Sequence, residues 1–116
     1  MNVRMEKGIA VIAPHGWLMG GPETDELQRT MRELLEQGNR CLVVDLADVV
    51  HMNSTALGVL VGCTMSYAKR DGRITLCNVD KRIQNTLVIT RLSLVFDTYS
   101  SEREAVASFG PGGGGG

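Results

Sequence analysis

Cys41-Leu42-Val43-Val44-Asp45-Leu46, then a short loop, then Asn53-Ser54-Thr55-Ala56-Leu57-Gly58-Val59-Leu60-Val61-Gly62: this is the stretch on which the architecture turns. The first six residues are almost continuously apolar, the pattern of a central strand buried on both faces. The second run continues to about Lys69 with two apolar stripes at helical spacing. One is Leu57, Leu60, Val61 and Ala68, and the other is Ala56, Val59, Cys63 and Tyr67. A helix apolar nearly all round in its first turns is either buried on two sides or shows an apolar patch to a partner protein. Where strand hands over to helix stand three small hydrogen-bonding residues, Asn53, Ser54 and Thr55. At least one hydroxyl therefore sits at the positive end of the helix, as a plain cap or as a switch.

Working outward, Val3-Arg4-Met5 and Ile9 to Ala13 read as a β-hairpin turning at Glu6-Lys7-Gly8. Gly16 to Pro22 reads as a glycine-rich loop that opens a helix with Pro22 in its first turn. That helix is marked by Leu27, Met31, Leu34 and Leu35, with Gly38 placed to end it. Beyond Lys69, Asp71-Gly72 breaks the chain and Arg73 to Val79 alternates as a strand. Asp80 is placed to cap a helix carrying Ile83, Leu87 and Ile89-Thr90, ended by Arg91-Leu92-Ser93. Val95 to Tyr99 is a short last strand. Ser101-Glu102-Arg103-Glu104 starts a final helix with Ala105, Val106 and Phe109 inward. The order β-β-α-β-α-β-α-β-α predicts an α/β sandwich, a mixed sheet of four to five strands with about four helices. The later strands are joined by helical crossovers, and right-handed crossovers place those helices on one side of that sheet. One domain spans residues 1–109, and the glycine-rich residues 110–116, which cannot bury area, form a flexible tail.

Composition narrows the function. The 116 residues carry 12 basic and 13 acidic side chains, a net charge of −1, so the chain lacks the positive field that direct nucleic acid binding or an anionic membrane surface requires. Its apolar runs are too short for membrane insertion and its start lacks a secretory core, which predicts a cytoplasmic protein. Cys41, Cys63 and Cys77 have no metal or disulfide spacing and read as buried thiols. His15 and His51 stand apart from other ligand types, so no metal site is expected. Asp45 and Asp48 end the strand and support the loop. Trp17 is either a plug at the sheet end or an exposed anchor. No phosphate-binding loop or dinucleotide motif appears, so neither a cofactor nor catalysis is expected.

The strand-loop-helix segment resembles the STAS domains, named after sulphate transporters and anti-sigma factor antagonists. Stand-alone members carry a strand ending in Asp-Leu, a loop, and Met-Asp-Ser-Ser-Gly-Leu-Gly-Val-Leu. Here Asp45-Leu46 and Met52-Asn53-Ser54-Thr55-Ala56-Leu57-Gly58-Val59-Leu60 take those places. Leu87-Val88-Ile89-Thr90-Arg91-Leu92, Val95-Phe96 and Glu104-Ala105-Val106 look like the family's third helix, last strand and last helix. Asn53 replaces the usual Asp, Thr55 the second Ser, and Ala56 the usual Gly.

The resemblance implies an anti-sigma factor antagonist, which binds an anti-sigma factor that is also a serine kinase and so frees a sigma factor. Phosphorylation of the first serine, here Ser54, ends the binding, and a serine phosphatase restores it. Met52, Asn53, Ser54, Thr55, Ala56, Leu57 and Val59 are then the partner-binding residues, with the Ala56 methyl facing the partner. The alternatives are an accessory subunit of a membrane lipid or anion transporter, and an enzyme using one of the cysteines as an activated thiol.

Overall fold

The computed structural model describes residues 1–110; the remainder of the expected tail, residues 111–116, lies outside the described residues. The elements are β1 (Asn2–Glu6), β2 (Ile9–Ala13), β3 (His15–Leu18), α1 (Pro22–Glu36), β4 (Cys41–Asp45), β5 (Asp48–Met52), α2 (Ser54–Lys69), β6 (Arg73–Cys77), α3 (Lys81–Ile89), a 3-10 turn (Leu92–Leu94), β7 (Asp97–Tyr99) and α4 (Glu102–Ala107). Five strands form one mixed sheet in the order β1-β2-β4-β6-β7. β1 is antiparallel to β2, and the other neighbours are parallel. The expected mixed α/β sandwich with four helices is therefore present.

β4 is the central strand that its apolar run predicts, buried along its whole length. Its pleat sends Leu42 and Val44 into the core shared with α1, α2 and α3. Cys41 and Val43 point the other way, onto Ala105 and Phe109. The three crossover helices α1, α2 and α3 thus share one side as expected, while α4, which joins no strands, lies on the other. α4 covers the opposite face because its Ala105 and Phe109 complete a second, smaller core with Ile9, Val11 and Cys77.

α1 begins at Pro22 and buries Thr24, Leu27, Met31 and Leu35. Gly38, at φ +99°, takes the left-handed position that ends it, and the Asn39 N–H reaches back to the Leu34 carbonyl at 2.9 Å. α2 spans the residues expected and buries Ala56, Leu57, Leu60, Cys63 and Tyr67. The Tyr67 hydroxyl accepts from Asn39 Nδ2 at 3.0 Å, which ties the far end of α2 to the end of α1. Burial pushes the Tyr67 hydroxyl up to about 12, so it stays protonated. α3 is capped as expected, with the Ile83 N–H donating to Asp80 Oδ1 at 2.8 Å. The last strand is shorter than expected, because Val95 and Phe96 follow the 3-10 turn and only Asp97 onward pairs with β6.

A second sheet corrects the reading of two loops. β3 and β5 pair in parallel, His15 with Asp48 and Leu18 with Met52, and Val50 is an extra residue on β5 where the register shifts. Such a bulge turns the ribbon and frees a carbonyl. The Arg82 guanidinium donates to that Val50 carbonyl at 3.3 Å.

Candidate functional site

The β3–β5 ribbon exists to deliver Asn53. Leu18 and Val49 are buried under it and Met52 is nearly so, which anchors the ribbon to the main core. Its outer side carries Trp17, 60% exposed, whose ring centroid lies 5.7 Å from that of His51. Trp17 is thus exposed and is not a plug at the sheet end.

Asn53 is the N-cap of α2. Its backbone is extended, its side-chain oxygen accepts from the Ala56 N–H at 3.1 Å, and its carbonyl accepts from the Leu57 N–H at 3.1 Å. Ser54 is the first helical residue and is exposed, as is Thr55. Because Asn53 supplies the cap, the Ser54 hydroxyl is not needed for one. It stands among the unpaired N–H groups of a helix's first turn, at the positive end of 16 aligned peptide dipoles.

Asn53, Ser54 and Thr55 thus lie together on the surface, and Val59 is partly exposed one turn on. The other three expected contact residues face inward. Ala56 is fully buried, so the expectation that its methyl meets a partner is corrected: a residue three places past the N-cap turns its side chain into the core here. Met52 and Leu57 are each 6% exposed, and that remnant lines a cavity of about 80 Å³ with Val50, His51, Arg82, Ile83 and Thr86. They shape the floor of a cleft between β5, α2 and α3 rather than a flat contact face.

The residues beyond the motif that sequence reading did not collect are Leu18, Met19 and Gly20. The Asn53 N–H donates to the Leu18 carbonyl at 3.1 Å, and Asn53 Nδ2 donates to the Met19 carbonyl at 2.9 Å. Gly20, at φ +89°, lies so close that a Cβ there would sit 3.1 Å from Thr55 Cγ2. The one signal in the chain is the Gly20-Gly21 pair itself, which marks tight backbone.

Asp45 supports the loop as expected. It is buried, and its Oδ1 accepts from the Ala47 N–H at 2.9 Å and from Asn78 Nδ2 at 3.1 Å. The three cysteines are buried as expected. Burial pushes the Cys41 and Cys63 thiols up, and burial followed by the charge of Asp45 pushes Cys77 up to about 12. Such thiols are held protonated, the reverse of what a nucleophile requires.

A sandwich of this topology, with an exposed serine opening the helix after the central strand-loop unit, defines the class. The STAS domain family matches residues 1–105, and the chain belongs to it. An anti-sigma-B factor antagonist of Staphylococcus aureus is 34% identical over 71 residues, 61% of this chain and 63% of that protein. The chain therefore matches less than two thirds of that relative's length. Among solved structures, an anti-sigma factor antagonist (TM1081) of Thermotoga maritima has a TM-score of 0.85 at 20% identity, covering 92% of each chain. Phosphorylated SpoIIAA of Bacillus has a TM-score of 0.73 at 17% identity, covering 92% of this chain and 96% of that one. Both share its fold.

Proposed function

We propose that this chain is an anti-sigma factor antagonist that acts in the cytoplasm. It binds an anti-sigma factor that is also a serine kinase, frees a sigma factor by doing so, and is switched off by phosphorylation of Ser54. The observation that carries this reading is the exposed Ser54 hydroxyl at the first position of a helix whose cap is supplied by another residue. Membership of the STAS family supports it, as does the relation to a protein named as an anti-sigma-B factor antagonist. SpoIIAA, a protein of the same fold that exists in a phosphorylated form, supports a phosphorylation switch.

The physics is consistent with a switch. A phosphate on Ser54 meets free N–H groups and the positive helix end, so the fold tolerates it. It also adds about −1.5 to −2 charges to a surface made of Asn53, Thr55, Val59 and the exposed Trp17 and Met19. No acidic residue lies in the first turn of α2, so the unmodified site starts without negative charge there. Turning a mostly bound population into a mostly free one takes roughly 5 kcal/mol of differential affinity. Burying an unmatched dianion against a neutral partner surface supplies a cost of that order. A serine phosphatase then resets the site.

The test is incubation with ATP and the anti-sigma factor kinase, followed by mass spectrometry and a binding measurement. One phosphate on Ser54, lost in Ser54→Ala, with weakened binding on modification, is the expected result. Absence of modification at Ser54 sinks the switch. Co-purification with a membrane permease, unaffected by Ser54→Ala, replaces this reading with that of a transporter subunit.

A further inference from the structure

We infer that Asn53 is a positioning residue with a second task beyond capping: its neutral amide locks the Leu18–Gly20 segment against the start of α2. The segment and Ser54 then present one rigid surface to the kinase and the partner. This deepens the function proposed for Ser54 and rests on it for its kinetic consequence, whereas the lock itself is independent of it.

The amide is used at both ends. Its oxygen accepts from the Ala56 N–H at 3.1 Å while its nitrogen donates to the Met19 carbonyl at 2.9 Å. Only this orientation satisfies both groups, since reversal faces donor to donor and acceptor to acceptor. Two further contacts act on the same segment. The Asn53 N–H holds the Leu18 carbonyl, and the Thr55 methyl packs against Gly20, whose own N–H donates to Thr24 Oγ1 at 2.9 Å. Ser54 is therefore the middle of three residues, the first and third of which hold the loop. The segment is worth holding, because it carries Met19, 45% exposed, and follows directly on Trp17, 60% exposed.

A carboxylate at this position caps the helix equally well but places an acceptor against the Met19 carbonyl. An acid in place of this amide thus changes the surface and not only the charge. A Ser at position 53 keeps a cap yet is too short to reach Met19.

The experiment compares wild type with Asn53→Asp and Asn53→Ser. Both variants should melt within a few degrees of wild type, since both retain a cap. Heteronuclear NOE values at Met19 and Gly20 should fall in both. With the kinase that modifies Ser54, KM for this protein should rise roughly fivefold to tenfold in both, the size expected for one lost hydrogen bond, with kcat little changed. Undiminished order at Met19 and Gly20 in both variants overturns the lock. A KM that rises only in Asn53→Asp overturns the positioning role, because charge alone then explains it. If wild type is not phosphorylated, the function proposed for Ser54 fails, and the NOE comparison still decides the lock.

Discussion

Asn53 caps α2, and the proposed acceptor role of Ser54 is separable from that structural duty. The Ala56 N–H and the Met19 carbonyl both depend on the Asn53 side chain, so Asn53→Ala leaves one orphaned donor and one orphaned acceptor near the surface. Denaturant unfolding should show a loss of about 1–2 kcal/mol, the upper part of the range for removing a cap. Ser54→Ala, at an exposed position that makes no cap, should change stability by less than about 0.5 kcal/mol in the same measurement. The two substitutions placed side by side test whether cap and acceptor are different residues. A large loss in Ser54→Ala assigns the hydroxyl a structural role.

At the scale of elements, the joint between α2 and β6 is as constrained as the one between β5 and α2. Gly72 turns the chain there, and its N–H donates to the Tyr67 carbonyl at 2.7 Å while Arg73 donates to the Arg40 carbonyl at 2.8 Å. A Cβ on Gly72 would lie 2.9 Å from the Arg40 carbonyl oxygen and 3.1 Å from both Tyr67 Cδ2 and the Tyr67 carbonyl oxygen. Two of these neighbours are backbone atoms and the third belongs to a fully buried ring, so none yields easily. Gly72→Ala should therefore destabilise by roughly 1–3 kcal/mol, read from the urea midpoint. The breaker Asp71-Gly72 is visible in the chain, but the reason Gly is required is not, since Arg40 lies more than thirty residues away. The β3–β5 ribbon escapes sequence reading for a related cause. β3 is four residues with a glycine inside, β5 lacks clean alternation around its bulge at Val50, and each is a strand only because the other is adjacent.

For the whole molecule, α4 is tied to its face of the sheet by charge. Glu102 of α4 pairs with Arg4 of β1, and its carboxyl is coupled to that of Asp45 at the end of β4. Burial pushes the Asp45 carboxyl up, but hydrogen bonds from Glu102, the Ala47 N–H and Asn78, with the charge of Arg4, outweigh it and hold Asp45 below its usual 3.8. The bond to Asp45 pushes Glu102 above its usual 4.5, against the pull of Arg4. The signs differ. Asp45 contributes stability that is present above about its unfolded pKa and is lost as pH falls through the lower folded value. Glu102 contributes stability that is present below its unfolded pKa and is lost as pH rises through the raised one. Asp45→Asn should therefore fall furthest behind wild type near about pH 4.5, where Asp45 is charged and Glu102 still holds its proton, with the gap narrowing toward about pH 3. Unfolding midpoints across that range check it, and a gap that widens in acid contradicts the assignment.

The sequence by itself determined most of the elements: the buried run Cys41 to Leu46, the helical periods in α1 and α2, and the cap at Asp80 are local patterns that need no distant partner. It also singled out Ser54, through a motif of adjacent residues. The tertiary structure alone decided which motif residues remain on the surface, because Ala56 turns inward only once the sheet is beneath it. It alone decided that α4 takes the opposite face, where Ile9, Val11 and Val43 await cover. It alone brought Met19 and Gly20 to Asn53, across more than thirty residues of chain. Patterns set by neighbours in the chain are legible in the chain. Contacts between segments that fold apart and meet later depend on where every intervening element has packed.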